Sequence, residues 1–295
     1  MKLGISVYSI SRKILSGEIT PQRAVEWLAK EAGAEVIEIT PFGIDIIYQE
    51  TLAGELKKIA EDNGSIINNY SLNANFLQVT NSGHNSEFER VKLHIDGAAR
   101  LGAATMRIDA ASYRRNPEDN TIENFMADLP VIADIYKQLC DYARKYNIVV
   151  LIENHGFYIN GSDRTGAVLS QVGYGNFAHQ LDAGNFLCVD EKPEVAVKRL
   201  INKAMTIHLK DFYVRDDDPG DATQFDCSGS WFRSQDGAYL RGSILGQGDM
   251  NMKKIAAVIK ESGFNGCVYL EFEGMEDCYY GTKVGFDNMK KLLGG

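Results

Sequence analysis

The chain has no apolar run long enough to cross a bilayer, no cysteines at CxxC spacing and no excess of basic residues. Each absence removes a class of function. A membrane-spanning helix needs about 20 consecutive apolar residues. A disulfide framework or thiolate zinc site needs paired cysteines. The five here (Cys140, Cys188, Cys227, Cys267 and Cys278) are odd in number and scattered, and read as reduced thiols of a cytoplasmic protein. A net charge of −9 argues against a general nucleic-acid binder, which presents a basic face to phosphates. The opening MKLGISVYSISRK lacks a long apolar region ending in a small-residue cleavage site, so it reads as a first strand rather than a leader. No repeat of solenoid period and no low-complexity tract interrupts the chain.

What is present is a rhythm. Eight apolar runs fall near residues 3–9, 35–40, 65–71, 104–109, 148–154, 177–183, 205–211 and 267–273. Most are rich in Val, Ile, Leu, Phe or Tyr and are bounded by Gly, Asn or Asp, as strands are. The intervals 50–62, 86–101 and 121–146 carry apolar residues at helical spacing, and KPEVAVKRLIN, DMNMKKIAAVIKESG and 281–293 add further helices. In 20–32, Thr20 suits an N-cap, Pro21 the first helical position, and Gly33 a stop. Strict strand–helix alternation over 295 residues predicts an α/β protein, a single (β/α)8 TIM barrel spanning 1–295. The segment 212–248, between strands 7 and 8, is too long for an ordinary connection. Its aromatic residues mark it as an active-site lid, with Trp231 as its expected substrate contact.

Four side chains end four of these runs: Glu153, Asp182, His208 and Glu271. Parallel strands share one rim at their carboxyl ends, where residues distant in sequence meet. Strand alternation places all four on the axial phase, opposite Ile152, Leu181, Ile207 and Leu270. Random placement gives that about one time in 16. Three carboxylates converging would repel one another, and either a cation or salt bridges from an Arg/Lys cluster at the barrel mouth would relieve that repulsion. Three oxygen donors and one nitrogen suit one divalent ion.

Further residues share that rim. His155 follows Glu153 by two and could bind a substrate hydroxyl or shuttle a proton. Lys210 follows His208 by two and could hold an anionic or carbonyl oxygen. Arg107 and Asp109 share a face and are expected to pair. Glu38, inward on the second strand, is expected to bind a hydroxyl or orient a neighbour, and Asn185 is a rim contact. GQGD at 246–249 has the composition of a phosphate cradle, but reads better as a tight loop with Asp249 capping the next helix. His84 and His94 show no partners in the sequence, and His94, in a helical stretch, reads as structural.

At LIENH (151–155), QLDAGN (180–185), IHLKD (207–211), LGQGDM (245–250) and YLEFEG (269–274) the chain resembles the xylose isomerase-like TIM barrels, the broad sugar phosphate isomerase/epimerase family. The resemblance covers essentially the whole chain. It implies that Glu153, Asp182, His208 and Glu271 bind one divalent ion, manganese foremost and otherwise magnesium, cobalt or zinc. It also implies that Glu153 and Glu271 act as acid and base on a small sugar or keto-sugar, through an enediolate. Compact ketose epimerases commonly carry a His three positions after the Asp ligand; Asn185 stands there. The interval from His208 to Glu271 is also longer than theirs. The alternative activity is elimination, as in inosose dehydratases or enzymes cleaving 3-keto-glycosides. The endonuclease branch of the fold needs many more than five histidines and a basic groove. A non-catalytic barrel subunit would carry a substituted metal position, and none is seen. Barrel enzymes often pair, so a homo-oligomer is compatible with the sequence, which does not itself give the oligomeric state.

Overall fold

Strand β1 (Lys2–Ser6) pairs in parallel with β2 (Val36–Ile39) on one side and with β11 (Cys267–Leu270) on the other, and this second pairing closes a barrel. Between them run β3 (Ile66–Leu72), β4 (Thr105–Ile108), β5 (Val149–Glu153), β6 (Phe177–Asp182) and β7 (Ala204–Leu209), each parallel to its neighbours. This computed structural model describes residues 1–49, 51–77, 81–109, 111, 117–219 and 231–294, without the side chains of 81–84 and 117.

Helices α1 (Ser11–Leu15), α2 (Pro21–Glu26), α3 (Leu52–Asp62), α4 (Asn81–Leu101), α5 (Ile122–Ala143), α6 (Ser162–Val172), α7 (Pro193–Leu200), α8 (Met252–Glu261) and α9 (Cys278–Leu293) complete the fold. The local signals act as expected at α2. Thr20 accepts from the Arg23 amide, Pro21 opens the helix, and Gly33 takes a φ of 77° after its π-helical extension. Two helices lie outside the intervals the periodicity marked, the short α1 and the longer α6. The sequence of α6, SDRTGAVLSQV, buries Ser162 and Thr165 beside Val168, Leu169 and Val172, so two of the five buried residues are polar.

Outward-facing strand residues such as Ile37, Val150, Leu181, Ile207 and Val268 are fully buried against the helices. Each contributes about 1.5–3 kcal/mol. The barrel interior is different. Such interiors are commonly packed with branched apolar residues, but here Asn69 donates to both Gln180 and Glu38 at 2.6 Å, and Thr105 donates to Asn69 at 2.7 Å. This polar layer anchors Glu38 beneath the rim.

The described parts of the 212–248 segment, 212–219 and 231–248, are more than a loop, and 220–230 lie outside the described residues. Strands β8 (Asp211–Arg215), β9 (Phe232–Arg233) and β10 (Tyr239–Ser243) form an antiparallel sheet in the order β8-β10-β9. Alternation places Phe212, Phe232 and Leu240 on one face and Tyr213, Arg215, Arg233, Tyr239 and Arg241 on the other. The hairpin turn is pinned to the barrel. Asp190 accepts from Ser234 Oγ and from the Asp236 amide, both at 2.7 Å, and the Gln235 amide donates to the Cys188 carbonyl at 2.8 Å.

The LGQGDM loop also departs from expectation. The amides of Gly246 and Gly248 donate to Oδ2 of Asp211, and those of Phe212 and Met250 to Oδ1, at 2.9–3.3 Å. The cradle therefore holds the protein's own carboxylate. A Cβ on Gly248 would sit 2.3 Å from Asp211 Oδ1, so the close approach requires glycine. Asn251, not Asp249, caps α8 by accepting from the Lys254 amide, while Asp249 accepts from the Val214 amide and pairs with Arg215. The reason is distance in space: Asp249 faces the start of the added sheet.

Candidate metal centre

Glu153 ends β5, Asp182 ends β6, His208 lies near the end of β7, and Glu271 follows β11, held by its amide donating to the Leu209 carbonyl at 3.0 Å. Register places Asp182 opposite His208 and His208 opposite Tyr269. The four side chains meet around one atom, Nδ1 of His208. Glu153 Oε1 and Asp182 Oδ2 lie 3.9 Å from it and Glu271 Oε1 lies 3.7 Å away. Glu153, Asp182 and His208 are all buried.

The donor set fits a divalent ion. His208 Nε2 is engaged by Glu38 Oε2 at 2.8 Å, which leaves Nδ1 buried with no hydrogen-bond partner. Asp182 Oδ1 accepts from the amides of Gly184 (2.7 Å) and Asn185 (2.9 Å), whereas its Oδ2 accepts no hydrogen bond. Lys210 Nζ lies 3.2 Å from that Oδ2, close enough for an ion pair but outside hydrogen-bond geometry. Buried polar atoms are rarely left unpaired. Two such atoms facing one another among carboxylates are what a cation site presents.

The charged groups of the centre shift one another strongly. Burial pushes the Asp182 pKa up to about 6, with Lys210 pulling down and the charges of Glu153 and Glu271 adding to the rise. Burial opposes the protonated form of His208, but the negative charges of Glu38 and Glu271 outweigh it and hold its pKa well above the usual range. Glu271 is held well below the carboxylate range, because Lys210 and His208 overcome the effect of burial.

The expected neighbours also gather here. Arg107 pairs with Asp109, as expected, at 3.1 Å, and in addition with Glu153. Asn185 Nδ2 donates to Glu153 Oε1 at 3.2 Å. Lys210 Nζ donates to Glu271 Oε2 (2.9 Å) and Glu273 Oε1 (3.2 Å). Glu38 is the residue that orients a neighbour, namely His208. His155 stands at the rim with Nδ1 3.1 Å from Asp109 Oδ2. Burial lowers its pKa, but Asp109 outweighs burial and leaves it raised. Trp231 lies elsewhere, packed against Arg215 and Arg241. His94 takes a structural partner, the Tyr70 hydroxyl at 2.8 Å.

A cavity of about 170 Å³ opens beside the quartet, lined in part by His155, Lys210, Glu273 and Asn185. Three phenylalanines line it too: Phe157, Phe212 and, from the hairpin, Phe232. Sequence reasoning singled out Trp231 where the neighbouring Phe232 lines the cavity, because β9 turns alternate residues to opposite faces. Phe157, at a φ of 64°, and the buried Asn160 carried no sequence signal.

A sequence model described as xylose isomerase-like TIM barrel matches residues 28–291. The chain belongs to that family. No curated protein matches it in sequence. Among solved structures it is similar to a D-psicose 3-epimerase determined in the presence of D-fructose, with a TM-score of 0.73, 16% identity and 100% of each chain covered. It is also similar to the probable 3-DHS dehydratase AsbF of Bacillus anthracis, with a TM-score of 0.71, 16% identity, and 98% of this chain and 99% of that one covered. A xylose isomerase-like TIM barrel/4-hydroxyphenylpyruvate dioxygenase fusion protein gives 0.74 at 17% identity, and there 99% of this chain spans 42% of the larger one. Identities this low show the fold. No described helix is long and apolar enough to cross a membrane.

Proposed function

We propose that the protein is a divalent-metal-dependent sugar isomerase or epimerase that moves a proton at the carbon next to a carbonyl. The observation that supports this reading is the placement of two glutamates. Glu153 and Glu271 come from strands on either side of the pair carrying Asp182 and His208, and both reach within 4 Å of the same imidazole nitrogen. Glu153, Asp182, His208 and Glu271 would hold the ion, manganese foremost and otherwise magnesium, cobalt or zinc. A bound divalent ion supplies the positive charge that polarises a carbonyl and makes the neighbouring C–H acidic.

The chain's own groups do the rest. One glutamate takes the proton and the other returns one. Return to the far face of the same carbon inverts it and gives an epimer, and return to the adjacent carbon gives an isomer. Lys210 places a positive charge beside Glu271, where negative charge builds on the substrate oxygen. Arg107 holds Glu153 in place from the opposite side.

Elimination is the second reading, favoured by the His155–Asp109 pair at the cavity. An imidazole held by a carboxylate is placed to protonate a departing oxygen.

The test is proton–deuteron exchange into a panel of keto-sugars in heavy water, with each of the four ions in turn. Exchange is expected at the carbon next to the carbonyl, and product analysis then separates epimer, isomer and eliminated product. Glu271→Gln should reduce exchange by about 10²–10⁴-fold with the circular dichroism spectrum unchanged. Exchange at the wild-type rate would take Glu271 out of the reaction.

A further inference from the structure

The outer face of the added sheet has the make-up of a protein interface. Its register sets Arg215, Tyr239 and Arg233 in one row across the three strands, and Tyr213 beside Arg241 in the next. Trp231, just before β9, extends that second row. Its ring centre lies 4.9 Å from Cζ of Arg241 and 5.8 Å from that of Arg215. Arg241 also lies 5.1 Å from the Tyr213 ring, and Arg233 lies 5.1 Å from the Tyr239 ring. A guanidinium stacked on a ring is pre-organised, and its planar N–H fork matches a carboxylate. Arg215 and Arg233 are exposed, and the other four side chains are half-buried. Tryptophan, tyrosine and arginine are the residues that dominate binding energy between proteins.

The charges on this face are unbalanced. Among the described residues, Arg215 pairs with one carboxylate, Asp249 at 3.0 Å, and Arg233 and Arg241 pair with none. Arg241 donates instead to the Met275 sulfur at 3.9 Å. In a chain of net charge −9, two arginines without an acidic partner stand out. The sign reverses at once along the chain, because Asp216 and Asp217 follow Arg215 and both are exposed. A basic patch and an acidic run therefore lie side by side at one end of the sheet. A two-fold axis between them lays each patch on the other copy's run, since a symmetric interface pairs residue i with j and j with i. Adding a partner strand to β8 is closed off. The Phe212 carbonyl accepts from the Asp249 amide and the Val214 amide donates to Asp249 Oδ2, both at 2.8 Å, so these edge groups are already used.

We propose that this face joins two copies of the chain, with Arg233 and Arg241 of one copy meeting Asp216 and Asp217 of the other. The opposite face of the same sheet carries Phe212 and Phe232 to the cavity beside the quartet. The second copy thus backs one wall of that cavity from outside. The association does not depend on the reaction assigned above.

Sedimentation velocity on the full chain, from about 1 to about 100 μM, tests this. The wild type should be dimeric at the upper end. Its dissociation constant should rise at least about tenfold between about 0.05 and about 0.5 M sodium chloride. Arg233→Glu with Arg241→Glu should be monomeric, and so should Asp216→Lys with Asp217→Lys, each with the circular dichroism spectrum of the wild type. An equimolar mixture of the two variants should dimerise again, because both contacts then join opposite charges. If a reversed variant does not fold, Arg233→Gln with Arg241→Gln takes its place and should weaken the dimer at least about tenfold. A wild type that stays monomeric throughout overturns the proposal and leaves the face to a different acidic protein. A folded reversed variant that still dimerises overturns it as well, as does a mixture that stays monomeric.

Discussion

Oε2 of Glu38 lies 2.8 Å from Nε2 of His208, which places the imidazole N–H on the glutamate side and presents Nδ1 to Glu153, Asp182 and Glu271. The glutamate is itself fixed, because Asn69 and Ser71 donate to the same oxygen at 2.6 and 2.8 Å. A ligand imidazole oriented by a buried carboxylate is both aimed and made more basic.

Glu38→Gln keeps the volume and removes the charge. Under the proposed function, affinity for manganese, measured by calorimetry, should fall by about 10–100-fold while the melting profile keeps its cooperative form. Unchanged affinity would show that His208 needs no help from Glu38.

Asp211→Ala leaves the amides of Phe212, Gly246, Gly248 and Met250 without their acceptor. Each buried unsatisfied amide costs on the order of 1–3 kcal/mol, and entry of water offsets part of the total. We expect a loss of about 2–4 kcal/mol in urea unfolding. A loss below about 0.5 kcal/mol, the usual range for a surface change, would contradict the role assigned to this carboxylate.

His94 gives a pH dependence away from the candidate metal centre. Burial, with the charge of Arg90, lowers its pKa to about 4 in the folded protein. The unfolded chain, with an ordinary value near ~6.5, binds the proton more readily. This contribution to stability is complete above about pH 6.5 and is lost as pH falls toward about 4. Between about pH 7 and 5 the wild type should therefore lose about 1–2 kcal/mol more than His94→Gln. Parallel pH curves for the two proteins would refute the assignment.

Asp190→Ala should release the hairpin. Amide hydrogens of Asp236 and its neighbours should exchange faster, while those of β5 and β6 keep their protection. Under the proposed function, KM should rise severalfold with kcat little changed, because Phe232 loses its fixed position. A rise in neither exchange nor KM would mean that the strands alone hold the hairpin.

The barrel and the quartet were legible because they obey local rules. Glu153, Asp182, His208 and Glu271 each close an apolar run on the phase opposite the buried Ile or Leu, and that phase is visible in the chain itself. The added sheet was not legible, since β9 is only two residues long and owes its existence to pairing with β10. Asn160 and Phe157 were hidden for a related reason. Their positions follow from a turn in which Gly156 and Phe157 both take positive φ, and nothing periodic announces it. Asp249 looked like a helix cap because it precedes one, whereas Asp211, which organises that loop, lies far away in sequence.

The chain leaves the barrel at Asp211 and returns through Gly246, Gly248 and Met250, and a single carboxylate ties departure to return. The excursion between them is thus knotted shut at its root. The tie sets the added sheet apart from β7 and β11, so under the proposed function substrate preference is free to diverge there while the rim carrying Glu153, Asp182, His208 and Glu271 stays as it is.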